Sequence, residues 1–207
     1  MKRTLLLLAL LCYTVTDKVA AQVLKLVSKV ALSDTMNKED VAYGVGDDGI
    51  YNFNEPVVTV NIPDNVKYPC RNLADFNLQT AFVFDTSQEK GLEVSYQFKL
   101  AASSVRPAFK VTTLSLFNSY RKSLQTWNNN SRVRELSILV NKKPVAQVAL
   151  KDTYKGQFID LKKLKIVAWF GKTLEITLRF NGFYPGDKYV NDIAVSEIIF
   201  DGERLVN

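Results

Sequence analysis

An all-β fold, an antiparallel β-sandwich, is the class this sequence predicts, and three observations carry the prediction. From residue 51 onward, short runs of alternating apolar and polar residues recur, each ended by Gly, Pro, Asn or Asp. No stretch there sustains a helical period over several turns. Apolar residues make up 47% of 207 residues while only two are cysteines, so a packed core must hold the chain together.

Taken in order, residues 1–21 read as a signal peptide. Lys2 and Arg3 supply a basic start, Thr4 to Val15 an apolar run, and Val19, Ala20 and Ala21 a small-residue cleavage site before Gln22. The run is shorter than the ~20 residues of a membrane span, so the mature chain is expected to be secreted or periplasmic. A lipidated Cys12 is disfavoured because Leu11 stands where a small residue is wanted. Removing the signal leaves Cys70 without a partner in the chain.

Residues 22–50 are expected to be an N-terminal segment or linker. Residues 22–34 fit a short helix or an extended stretch equally, and residues 36–49 are polar and glycine-bearing. The domain proper spans residues 51–207. A first strand over residues 51–62 is closed by Pro63, Asp64 and Asn65, and a turn-rich segment occupies residues 71–82. Strands follow over residues 91–100, 109–117, 133–141, 145–150, 157–161, 174–180 and 193–200, with room for a short helical excursion in residues 163–170. In the last strand Glu197 shares its face with Ile193, Val195 and Ile199, and a buried carboxylate there needs a cation or several donors.

The chain has no histidine, which removes Ser-His-Asp and Cys-His nucleophiles, His metal ligands and His acid–base work together. A glycosidase would need two carboxylates about 5 to 9 Å apart; Asp187 and Asp192 are the only loop pair close in sequence, and nothing tunes one against the other. We therefore expect no enzyme. The net charge of +6 is dispersed, with no basic run of five, so no nucleic-acid partner is expected, while acidic glycans remain compatible.

Three loops carry more chemistry than connections need. In residues 118–132, Tyr120 and Trp127 offer planar faces for a sugar ring, while Asn118, Lys122, Asn130 and Arg132 offer donors and acceptors; packing of the two rings against the sandwich is an equal alternative. Asn129, Asn130 and Ser131 also spell an N-glycosylation acceptor, relevant only in a eukaryotic secretory pathway. In residues 184–192, Tyr184, Asp187, Lys188, Tyr189 and Asp192 would complete a cleft if both loops emerge at one end of the sandwich. The third group is Asp75, Thr80 and Glu197, hard oxygen ligands of the kind calcium takes, although an Asp and Thr at this spacing commonly form only a turn.

These residues also carry a resemblance. Leu73-x-Asp75-x₄-Thr80-Ala81-Phe82, Gly91-x-Glu93, Asn118-Ser119-Tyr120-x-Lys122-Ser123, Asn130-Ser131-Arg132-Val133 and Tyr184-Pro185-Gly186-x-Lys188-Tyr189-x₂-Asp192-x-Ala194-x-Ser196-Glu197-Ile198 follow one another in order. Together they resemble the galactose-binding-like domain (discoidin, coagulation-factor type C), nearest the translocation or glycan-binding domain found beside bacterial NAD glycohydrolases. The resemblance implies an eight-stranded jelly-roll sandwich that binds glycans or cell surfaces through loops at one end, without catalysis of its own. It also implies a structural calcium held by Asp75, Thr80 and Glu197. Phe76 and Ser119 stand where that family usually has glycine, and Phe82 where it usually has tryptophan.

The sequence thus leads to a carbohydrate-binding module with a ligand set of Asn118, Tyr120, Lys122, Trp127, Asn130, Arg132, Tyr184, Asp187, Lys188 and Asp192. A cell-envelope interaction domain that turns the same loops on a protein partner is the alternative.

Overall fold

The structure, a computed structural model, describes residues 23–30, 56–86, 91–99, 108–169 and 171–205. The expected signal peptide with Cys12, and the expected linker at 36–49, lie outside the described residues. Among the described residues, twelve strands make two packed sheets. The first sheet runs β1 (Leu24–Val27), β8 (Lys143–Ala149), β7 (Asn130–Val140), β11 (Thr173–Tyr184), β5 (Glu93–Lys99), β3 (Val57–Val60). The second runs β2 (Lys29–Val30), β9 (Gln157–Asp160), β6 (Ala108–Asn118), β12 (Tyr189–Leu205), β4 (Phe82–Asp85), with β10 (Ile166–Trp169) beside β9 along β6. Pairing is antiparallel apart from β1 with β8 and the start of β12 with β7. This is the jelly-roll β-sandwich expected, with twelve strands among the described residues in place of about eight.

Alternation places the core. Leu92, Val94, Tyr96 and Phe98 are all buried, as are Leu174, Ile176, Leu178 and Phe180 across the β5–β11 register. Aromatic rings bridge the sheets: Tyr96 and Phe98 of β5 meet Phe200 of β12 edge-on at 5.0 and 5.5 Å, and Phe84 of β4 meets Phe180 of β11 at 6.2 Å. Each fully buried ring or branched chain contributes about 1.5–3 kcal/mol. Cys70 is buried and free, so no disulfide assists among the described residues.

Several elements differ from the sequence expectation, among them β4 and residues 189–192 of β12, which were not expected to be strand. Residues 24–30 are extended and join the sandwich edges, which settles the ambiguous segment as strand. The helical excursion is confined to a 3₁₀ turn, Lys162–Leu164; Lys165 at φ 51° ends it and β10 begins at once. Residues 181–184, expected to be loop, extend β11, with irregular register around Gly182. The loop after β6 contains a helix, α1 (Leu124–Asn129), opened by a capping box in which the Ser123 hydroxyl accepts from Thr126 N and the Thr126 hydroxyl accepts from Ser123 N.

Candidate functional site

The two loops converge. Asp187 N donates to Asn128 O at 2.9 Å and Lys188 N to Asn129 O at 3.3 Å, so the segment after β11 lies along the end of α1. Gly186 N donates to Ser131 Oγ, and that hydroxyl donates to Val190 O at 2.8 Å. Gly186 is required by contact rather than by φ, since a Cβ would sit 2.5 Å from Asn129 O and from Asn130 C. The strap and α1 therefore form one rim at the end where β7 and β12 begin.

Arg132 is the bolt of this rim. Its Nε and Nη2 donate to the two Asp152 carboxylate oxygens at 2.6 and 3.1 Å, its Nη1 to Asn130 O, and its Nη2 also to Pro185 O. Its guanidinium lies 4.5 Å over the Trp127 ring, which meets Tyr154 edge-on at 5.9 Å; Tyr154 in turn is covered by the Arg121 guanidinium at 4.5 Å. Arg132 was expected to orient a ligand. Buried, with all three guanidinium nitrogens engaged, it instead holds the loops that would do so.

Several other expected ligand residues also have partners within the chain. Asn118 is buried and spans β6 and β7, donating to Val133 O and accepting from Val133 N. Asn130 is buried and donates to Thr126 O at the end of α1. Tyr184 is half-buried and its hydroxyl donates to Leu150 O; Tyr120 is half-buried edge-on to Tyr68 at 6.0 Å. Trp127 is half-buried under Arg132. Asp192 lies opposite Asp85 in the β4–β12 register, and burial first, then the Asp85 charge, raises its carboxyl above the usual range. Lys122, Asp187 and Lys188 are exposed, as is Tyr189 at 43%, with Lys188 Nζ 5.1 Å from its ring centroid.

Beside the rim lies the loop that carries Asp75 and Thr80. Asp75 Oδ1 accepts from Asn77 N at 3.0 Å, its Oδ2 from the Thr80 hydroxyl at 2.7 Å, and that hydroxyl also contacts Asn77 O. The loop folds over Glu197, which has no exposed surface. Glu197 Oε2 accepts from Asn77 N at 3.3 Å, while Oε1 has no hydrogen-bond partner among the described residues. Burial first, then the Asp75 charge, pushes the Glu197 carboxyl up to about 8, against the pull of backbone N–H groups of Asn77, Phe76 and Ile198. Ser196 ties this loop to the rim: its hydroxyl accepts from Arg121 N and contacts Ser119 O and Leu78 O.

The pattern of the NAD glycohydrolase translocation F5/8 type C domain family matches residues 43–201. The chain belongs to this family. No curated protein matches its sequence. The fold of this F5/8 type C domain is similar to that of the CBM32-1 and CBM32-2 domains of Clostridium perfringens ZmpB, at TM-score 0.58 and 13% identity, over 89% of this chain and 42% of that one. The same domains in complex with GalNAc match at TM-score 0.56 and 13% identity, over 89% and 41%. The chain thus spans less than half the length of those two-module structures.

Within this F5/8 type C domain, both positions where the sequence lacks the family's usual glycine keep a left-handed backbone, Phe76 at φ 55° and Ser119 at φ 64°. At both, a residue with a Cβ carries the strain of that conformation. Sequence reasoning missed Asp152, Tyr154 and Ser131, the partners that lock the rim. Arg132 and Asp152 are twenty residues apart, and no local pattern links them. Among the described residues no group of three or more His, Cys, Asp or Glu side chains is arranged for a metal; the Glu197 site offers two carboxylates and otherwise hydroxyl and backbone oxygens.

Proposed function

We propose that this domain is a non-catalytic glycan-binding module of an exported protein, with its ligand on the rim formed by α1 and the 185–190 strap. The observation that carries the reading is the locking of these two loops into one surface. Five polar links and a glycine contact hold them, while Lys122, Asp187, Lys188 and Tyr189 stay exposed. An exposed ring on a pre-organised strap is suited to stacking on a pyranose, with the charged groups placed for hydroxyls or a carboxylate. The likeness in fold to modules in complex with GalNAc supports the ligand class.

Binding of galactose, GalNAc and uronic acid oligosaccharides to the domain, followed by calorimetry, tests this. We expect half-saturation on the order of micromolar to millimolar and its loss in Tyr189→Ala and in Lys188→Ala, both on exposed side chains. Retention of full affinity in both variants would remove the rim from consideration. A protein partner at the same surface is the second reading, favoured by the exposed apolar side chains of Leu124 and Val190; free sugar would then fail to release the partner.

We further propose that Asp75, Thr80 and Glu197 hold a calcium ion. The residues fit: a buried carboxylate oxygen lacks a partner, a second carboxylate repels it, and hydroxyl and backbone oxygens surround the pair. Bound there, calcium would convert that repulsion into attraction and fix the loop against β12.

A further inference from the structure

The lysines are scattered in the sequence, but strand register gathers four of them with a tryptophan at the pole of the sandwich opposite the rim. β11 runs from Thr173, opposite Lys99 of β5, to Tyr184, opposite Arg132 at the rim. Its 12 residues separate the two poles by about 36–40 Å of strand. At the far pole Lys99 ends β5, Lys142 sits in the β7–β8 turn, Lys143 begins β8 and Lys172 precedes β11. All four are exposed, and none is in an ion pair among the described residues. Trp169 ends β10 opposite Ala108, the first residue of β6, and is 55% exposed.

The connections that present these side chains are fixed. Lys172 N donates to Trp169 O at 3.1 Å, across a turn in which Gly171 takes φ 71°. Asn141 N donates to Glu175 O at 2.9 Å and Asn141 Oδ1 accepts from Glu175 N at 3.1 Å, which pins the β7–β8 turn to β11. The acids of this pole are already engaged: Glu175 Oε2 accepts from Gln97 Nε2 at 3.3 Å, and Glu203 Oε1 from Lys110 Nζ at 2.7 Å. Residues 100–107, between β5 and β6 in sequence, include no acid.

Four ammonium groups without a counter-charge need an anionic partner, and their spread selects its shape. Lys99 and Lys143 are three strand spacings apart, about 14 Å, and Trp169 belongs to the other sheet, about 10 Å away. A small sugar is held by polar groups that converge in a cleft, whereas charges dispersed over a pole complement a plane of acidic headgroups, with an indole ring at the interface between them. We propose that the far pole docks on an anionic lipid bilayer through Trp169, Lys99, Lys142, Lys143 and Lys172. The rim then faces away from the membrane. This surface is separate from the one assigned to glycan and does not depend on it.

Co-sedimentation of the full chain with vesicles, in chelator, tests the proposal. Vesicles of phosphatidylcholine with phosphatidylglycerol should bind the chain more tightly than phosphatidylcholine alone, and the difference should shrink as salt rises. Lys142→Ala with Lys143→Ala should weaken binding about 25-fold, at about fivefold per lysine, and Trp169→Ala at least about tenfold. Lys151→Ala with Lys155→Ala removes the same charge from exposed positions towards the rim end and should weaken it far less. All these variants share residues 1–22, so any N-terminal contribution is common to them, and an unchanged Tm shows that each is folded. Equal affinity for the two vesicle types overturns the proposal, as do far-pole variants that bind like the parent or a rim-end pair that loses as much. Capture by polygalacturonate without vesicle binding also overturns it and gives the pole to an acidic polysaccharide. Galactose binding measured on the same variants should be unchanged, so failure here is distinguishable from failure of the rim.

Discussion

Arg132 and Glu197 pose the same problem and receive opposite answers. Each is a charged residue buried on a strand at the loop end of the sandwich. Arg132 has a carboxylate, two carbonyls and an aromatic face, so every nitrogen is engaged and its charge is neutralised within the chain. Glu197 has backbone N–H groups on one side, a second acid nearby and an oxygen without a partner among the described residues. A fully satisfied buried charge is structure, whereas a half-satisfied one requires a proton, a water or a cation. The first cluster holds the rim, and the second is where the proposed calcium would sit.

The largest effects should come from breaking the satisfied cluster. Arg132→Ala strips Asp152, Asn130 O and Pro185 O of their donor and uncovers Trp127; unfolding in urea should show a loss of about 3 kcal/mol. Gly186→Ala forces a Cβ into the backbone at Asn129 and Asn130, and a comparable loss of about 3 kcal/mol is expected. Both variants should also lose glycan binding, because the strap lifts. A stable Gly186→Ala with intact binding would show that the strap is not what orders the rim.

Next in size is the response of the unsatisfied cluster to calcium. An ion at a hundredfold excess over its dissociation constant adds about 2.7 kcal/mol, a rise of several degrees in Tm between chelator and calcium. Asp75→Asn and Glu197→Gln should abolish the rise, while Arg132→Ala should keep it. A melt indifferent to calcium would reduce the contrast to proton and water alone.

Titration sharpens the same contrast. The folded-state Glu197 carboxyl is raised from 4.5 to about 8, so between those values the native state binds more protons than the unfolded chain. Stability in chelator should therefore fall as pH rises from about 4.5 to about 8 and level off above. Calcium should flatten that fall, and Glu197→Gln should remove its share of the slope. A slope that survives Glu197→Gln unchanged assigns the titration to another group.

How much of this was legible in the sequence follows from the range over which each feature is determined. Alternation such as Leu92, Val94, Tyr96, Phe98 is local, so most strands and the sandwich class could be read directly. Glu197 on an apolar face was also visible, because one misplaced charge in a periodic strand is a local signal. The role of Arg132 was not: its carboxylate partner is Asp152, beyond the next hairpin, and a cation among aromatic and amide residues looks the same whether it faces a ligand or a core. α1 was hidden because Thr126 stands where a capping box usually carries Glu or Gln, and its six residues are too few for a period to show.

The smallest expected effect concerns the two left-handed residues, one in each cluster. Phe76 at φ 55° lies in the Glu197 loop, is 37% exposed, and its left-handed backbone costs about 1–2 kcal/mol for a residue with a Cβ. Phe76→Gly releases that strain, gives up the partial burial of the ring and adds unfolded-state entropy, so a net gain of up to ~1 kcal/mol is expected. Ser119 at φ 64° is buried in the rim, and its hydroxyl donates to Trp127 O at 2.9 Å. Ser119→Gly releases the same strain but leaves a carbonyl unpaired, worth about 1 kcal/mol, so the two effects should nearly cancel. Stabilisation by Phe76→Gly alone would show that the Glu197 loop tolerates strain its satisfied neighbour has offset with a hydrogen bond; equal gains in both variants would erase that difference.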